Sequence, residues 1–169
     1  MNNKGISLIA LVIMIIVMII IASIAMNAGI DSYDQAVDAK NKEERNQVSQ
    51  AVNARFGDNQ FNAAVSPIVG ELIPSECFSY PTDEQIIESA KTYLVDLFIS
   101  EGRLQTQDEV TNKTMQKDIQ RFLEENINDM QYTRILRHND IIELGLESIT
   151  IKSIFLVNYY SADVVGPII

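Results

Sequence analysis

Nucleophilic catalysis needs a thiol or hydroxyl with a base beside it, and a metal centre needs several His, Cys or carboxylate ligands. The sequence offers a single cysteine, Cys77, and a single histidine, His138. A Cys77–His138 dyad is the one thiol–imidazole pair available, and no motif joins its two members. With no second cysteine, Cys77 has no intramolecular disulfide partner and reads as a small buried apolar residue. His138 stands in Arg137-His138-Asn139-Asp140, near an expected helix start, and reads as a solvated or capping group. No second His or Cys pair completes a metal site, and no Gly-rich loop is present to cradle phosphate. Asp31, Asp34 and Asp38 are spaced like one face of a helix, whereas a calcium loop needs a different pattern with a turn glycine. Asn112-Lys113-Thr114 has the form of a glycosylation triplet, a pattern common by chance. Tyr159-Tyr160 reads as core or edge packing ahead of a contact patch. The expectation is a protein that is not an enzyme, with no catalytic residue, no cofactor and no metal.

The segments that position these residues divide sharply in hydropathy. Ile6 to Met26 is almost wholly Ile, Leu, Val, Met and Ala, with Ser7 and Ser23 as its polar members, and no charge falls between Lys4 and Asp31. As a helix those residues extend roughly 31 Å, the thickness of a bilayer's hydrocarbon core, so a transmembrane helix is expected over 6–26. The run exceeds the apolar core of a secretory signal, about 7 to 15 residues. Lys4 is the only charged side chain before it, which orients the N-terminus to the cytoplasm and the rest of the chain outside. From Asn27 on, all 23 Asp and Glu face 12 of the 13 Lys and Arg, a formal charge of −11. Phosphates need a cationic surface, so no nucleic-acid partner is expected, and the same charge opposes lying flat on an anionic membrane.

Lys4-Gly5 abuts Ile6-Ser7-Leu8-Ile9 directly. Here the sequence resembles the type IV prepilin family, which includes pilins and type II secretion pseudopilins. That family carries a short basic leader ending in Gly, an apolar first mature residue, Ser or Thr, Leu, Ile or Val, and a long apolar helix. The resemblance is specific over about the first 26 residues and extends more loosely to about residue 56. It implies cleavage between Gly5 and Ile6 by a membrane prepilin peptidase, with Lys4 as the leader's positive charge, and methylation of the new amine of Ile6. Glycine suits such a junction because, lacking a side chain, it lets the backbone enter a narrow cleft in extended form. Other pilin-like subunits, met through the apolar N-terminal helix, and the membrane are the partners implied. Two features depart from the pattern. Ala10 stands where the family usually has Glu at the fifth mature position, and Asn27 stands where a Pro is usual. Without the carboxylate that pairs with a neighbour's amine, ordinary major-pilin assembly does not follow from the resemblance.

Beyond the apolar run, Ile30, Tyr33, Val37, Glu44, Val48, Val52 and Phe56 recur at mostly helical steps, interrupted by a polar stretch rich in helix formers. A stem helix is expected to continue over 27–56, with Gly57 as its stop and a globular head over 57–169. Residues 57 to 81 read as irregular, with a short strand near Ile68-Val69. Thr82 and Gln85 have capping-box spacing ahead of Ile86, Ile87, Ala90, Tyr93, Leu94, Leu97 and Phe98, and Gly102 should end that helix. A further helix is expected over Thr111–Ile127, and a short one over Asp140–Leu144, capped by Asn139 and closed by Gly145. Ile149-Thr150-Ile151 through Val157 is β-rich, and Val164-Val165 can return as a second strand before Pro167. The expected fold class is α+β: a long N-terminal transmembrane and stem α-helix, a mainly helical head, and a small C-terminal antiparallel hairpin or sheet, as in pilin-like proteins.

These readings leave three functions to compare. The leading one is a structural pilin-like or pseudopilin-like subunit in the cytoplasmic membrane with its head outside the cell, or in a type IV pilus or type II secretion-like filament. The alternative is a solitary single-span anchored protein that does not polymerise. An anchored enzyme is disfavoured by the missing site.

Overall fold

A computed structural model describes residues 3–103, 110–150 and 153–168, with side chains described outside 3–9, 25–31 and 110–112. The chain divides into two compact units, Met1–Lys40 and Asn41–Ile169. Its helices are α1 (Asn3–Phe61), α2 (Asp83–Ser100), α3 (Val110–Glu125) and α4 (His138–Glu143), and its strands are β1 (Glu71–Leu72), β2 (Thr133–Leu136), β3 (Ile154–Asn158) and β4 (Val164–Ile168). Short 3-10 turns cover Ser75–Phe78 and Ile127–Tyr132.

The expected transmembrane helix is corrected. Side chains of the Ile6–Met26 run are described over 10–24, and no helix among the described residues is long and apolar enough to cross a membrane. A long N-terminal transmembrane helix is therefore not shown. The architecture is mostly helical, with a small antiparallel sheet of four strands.

In the second unit the sheet is a middle layer. Its order is β1-β2-β3-β4 with every pair antiparallel. Ile135 lies opposite Leu156, Arg134 opposite Val157, and Val157 opposite Val164. All five residues of β3 are buried, so its two faces must both be covered. Side chains alternate across a strand. Ile154 and Leu156 accordingly join one core with Leu94 and Phe98 of α2 and Ile119, Phe122 and Leu123 of α3. Phe155 and Val157 join the other, with Val48 and Val52 of α1, Ile141 of α4 and Tyr159.

Local chemistry explains most helix boundaries. Thr82 caps α2, its Oγ1 accepting from the Gln85 amide at 3.4 Å, and Asp83 and Glu84 favour the positive end of the helix dipole. At the other end Gly102 N–H donates to Ile99 O at 2.9 Å and Arg103 N–H to Phe98 O at 2.7 Å, the bond pair of a Schellman stop. The same pair closes α4, from Gly145 to Ile142 O at 2.8 Å and from Leu146 to Ile141 O at 3.1 Å.

Several boundaries differ from expectation. Gly57 does not stop α1, which continues to Phe61. A helical glycine is a modest penalty of about 1 kcal/mol, not a terminator. The chain turns instead where Asn59 Nδ2 donates to Ser66 O at 2.9 Å. α4 is capped ahead of Asn139: Arg137 is the cap, and Asp140 Oδ2 accepts from its backbone N–H at 2.8 Å. α3 ends at Glu125, and Ile127 opens a 3-10 turn after Asn126 Nδ2 donates to Phe122 O at 2.9 Å. The strand expected near Ile68-Val69 falls at Glu71–Leu72. Ile149 and Thr150 are not strand, Ile151 lies outside the described residues, and β3 begins at Ile154.

Candidate functional site

The segment that carries the expected cleavage, Lys4-Gly5-Ile6, lies at the start of α1. Lys4, Gly5 and Ile6 have helical backbone there, and their side chains lie outside the described ones. From Ala10 to Ile24 the side chains of α1 are described, and every one of those residues is exposed. Exposure of the large side chains runs from 46% at Val12 to 63% at Ile24. An amphipathic helix hides one stripe and wets the other; a helix apolar on every face needs a nonaqueous or protein cover all round. Ala10 belongs to this surface and adds no carboxylate to it.

The residues that carried hints of chemistry are dispersed. Cys77 is free and buried in the 3-10 turn before α2. Burial pushes its thiol up, a hydrogen bond with Ser89 pulls it down, and Glu76 pushes it up again. A thiol raised by burial is a poor nucleophile at neutral pH. His138 opens α4, and its Nδ1 is buried without a hydrogen-bond partner among the described residues. The cleft beside Cys77 is lined by residues of the 3-10 turn, its following loop and α2, and His138 is not among them. The structure thus gives the dyad no geometry. Among the described residues no group of three or more His, Cys, Asp or Glu could hold a metal ion.

Asp34 and Asp38 are exposed on α1, and the side chain of Asp31 lies outside the described ones. Asn112 is in α3, and its side chain too lies outside the described ones. The two tyrosines of Tyr159-Tyr160 separate: Tyr159 is fully buried, and Tyr160 is 58% exposed. Tyr160 stacks on Tyr132 with ring centroids 5.6 Å apart, and Phe56 meets Tyr132 edge-on at 5.5 Å. Burial pushes the Tyr159 phenol up to about 12.

Sequence reading missed two polar features. Arg137 binds Glu71 of β1 and, at 2.7 Å, Glu101 after α2, tying three elements together. Burial alone lowers its guanidinium, and the two carboxylates outweigh that. No motif marks residues so far apart in sequence as partners. The second is the cleft beside Cys77, which brings Tyr80 to the Tyr93 and Asp96 face of α2. Tyr93 gave its signal only as one member of an apolar helix face. No protein-family model, curated protein or solved structure matches this chain.

Proposed function

We propose that the protein is a structural, pilin-like or pseudopilin-like subunit, matured by cleavage between Gly5 and Ile6 and assembled with other such subunits through its apolar N-terminal helix. The observation that carries this reading is the helix surface from Ala10 to Ile24, exposed and apolar on every side, directly behind Lys4-Gly5-Ile6-Ser7-Leu8-Ile9. Hydrophobic burial contributes roughly 25 cal/mol per Å² covered, so subunits that pack these helices together gain strongly from association. The second unit supports the reading as well. The end of α1, through Val48 and Val52, packs on one face of a small antiparallel sheet, an arrangement similar to pilin-like heads. On this reading the processing peptidase and the membrane in which it works are the first partners, and the acidic head faces outward.

Ala10 favours a second reading. A subunit without the usual carboxylate cannot pair with a neighbour's amine, which fits a minor subunit or a solitary anchored protein that never polymerises. The mature N-terminus decides the first step. Intact-mass measurement from cells with a prepilin peptidase should find a chain beginning at Ile6, with a methylated amine, and Gly5→Leu should retain the leader. Wild-type protein that keeps Met1 to Gly5 in such cells would sink the proposal.

A further inference from the structure

The cleft beside Cys77 has a volume of about 530 Å³. Its lining includes the rings of Tyr80 and Tyr93 and the carboxylates of Glu88 and Asp96, and among the described residues it includes no Lys or Arg. The carboxylates differ in state. Glu88 Oε2 already accepts from Lys91 Nζ at 2.5 Å. Asp96 is exposed and forms no ion pair among the described residues. Tyr80 is 48% exposed and Tyr93 half-buried, so two aromatic surfaces are open to a ligand beside that negative charge.

Ligand classes separate on that chemistry. An anion meets Glu88 and Asp96 with no lining cation to compensate. A neutral apolar ligand gains contact with the rings and makes no use of the charge. A cation with apolar substituents gains from both, since ring faces attract positive charge and apolar groups on it cover the rings. Burial, and then Glu71, push the Tyr93 phenol up, while Arg137 pulls it down. We propose that this cleft binds an alkylammonium group, seated against Tyr80 and Tyr93 with Asp96 as its counter-charge. The proposal stands apart from the pilin-like reading and holds for a subunit that assembles or one that does not.

The shared chemistry comes from two sources, a small quaternary ammonium compound or the lysine side chain of a protein. The test is a ligand-observed NMR titration of the full chain in a non-ionic detergent at low salt. The probes are choline, butylammonium as the lysine side-chain equivalent, and 3,3-dimethylbutanol as the uncharged shape of choline. Choline or butylammonium should saturate, and the tighter of the two identifies the source. Dimethylbutanol should not saturate. Tyr80→Ala and Asp96→Asn should each weaken the cation about two- to fivefold with the thermal transition unchanged, and Tyr80→Phe should keep binding because the ring face remains. Equal binding of dimethylbutanol overturns the proposal. So does binding indifferent to both Tyr80→Ala and Asp96→Asn, or no saturation by either cation at tens of millimolar, the weak end expected for a single exposed cation–aromatic contact.

Discussion

Two glycine-to-alanine substitutions should move the stability of the head in opposite directions. Gly166 lies in β4 with φ +139°, a conformation that L side chains rarely adopt. A Cβ built there falls 2.7 Å from Phe155 Cδ1 and 2.9 Å from Ile154 O. Both neighbours are buried in β3, so neither has room to retreat. Backbone strain of this kind costs roughly 1–3 kcal/mol, and overpacking a core about the same. Gly166→Ala should therefore cost roughly 2–6 kcal/mol, a large share of a typical domain stability of about 5–15 kcal/mol. Gly57 sits inside α1, and a Cβ there has nothing within 4 Å. Alanine at that site should stabilise by roughly 0.5–1 kcal/mol, because glycine loses more backbone freedom on entering a helix. Urea unfolding of the full chain in one fixed non-ionic detergent reads both. Near-UV dichroism from tyrosine reports the second unit, since five of the six tyrosines lie beyond Lys40. A Gly166→Ala midpoint within about 0.5 kcal/mol of wild type, at unchanged slope, would refute the packing described around β3 and β4. A destabilising Gly57→Ala would refute the continuous helix through that residue.

The buried titratable groups give two further outcomes. Burial raises the Tyr159 phenol from 10.0 to about 12, so the folded state favours the neutral form. That contribution is fully present below pH 10 and is lost as pH rises toward 12, worth roughly 3 kcal/mol over the interval; Tyr159→Phe should flatten this alkaline loss, and an identical pH profile for the variant would contradict it. Cys77 should react with iodoacetamide at pH 8 at least about tenfold more slowly in the folded chain than in urea, because it is buried and its thiol is raised; equal rates would show an accessible thiol.

Legibility in the sequence tracked the range of the interactions that decide each feature. Helix α2 was readable at both ends because its cap, Thr82, and its stop, Gly102, act within a few residues of the helix. α4 was placed by Gly145 but mis-capped, since the cap rests on the Arg137 backbone N–H bonded by Asp140, and an arginine carries no capping signal of its own. Gly57 misled because composition records the residue and not its conformation, and only the latter stops a helix. The apolar run in β3 announced a strand but not its neighbours. β1 has two residues, and β2 is a Thr-Arg-Ile-Leu segment with no alternation long enough to declare itself. The cleft was invisible for the same reason, as Tyr80 and Asp96 come to line one cleft only when the 3-10 turn docks on α2.

On the pilin-like reading, the N-terminal helix supplies affinity and no direction. From Ala10 to Ile24 its surface holds one hydroxyl, Ser23, among apolar groups, and apolar contact is non-directional. Helices of this kind can slide past one another with little change in buried area. In the prepilin-like pattern a carboxylate at the fifth mature position fixes that register, because an unpaired charge in an apolar interior is penalised. If the chain follows that pattern, Ala10 removes the penalty and this source of register together. On the pilin-like reading, register must then come from polar groups farther along the chain. The exposed Asp34 and Asp38 of α1, and the Lys42, Arg45 and Asn46 side chains that line a groove with Ala162 and Asp163, are charged and polar groups that come soon after that stretch in sequence. Such groups act weakly and are screened by salt. A subunit built this way associates readily and aligns poorly by itself, which is the physical form of a minor component that depends on better-registered neighbours.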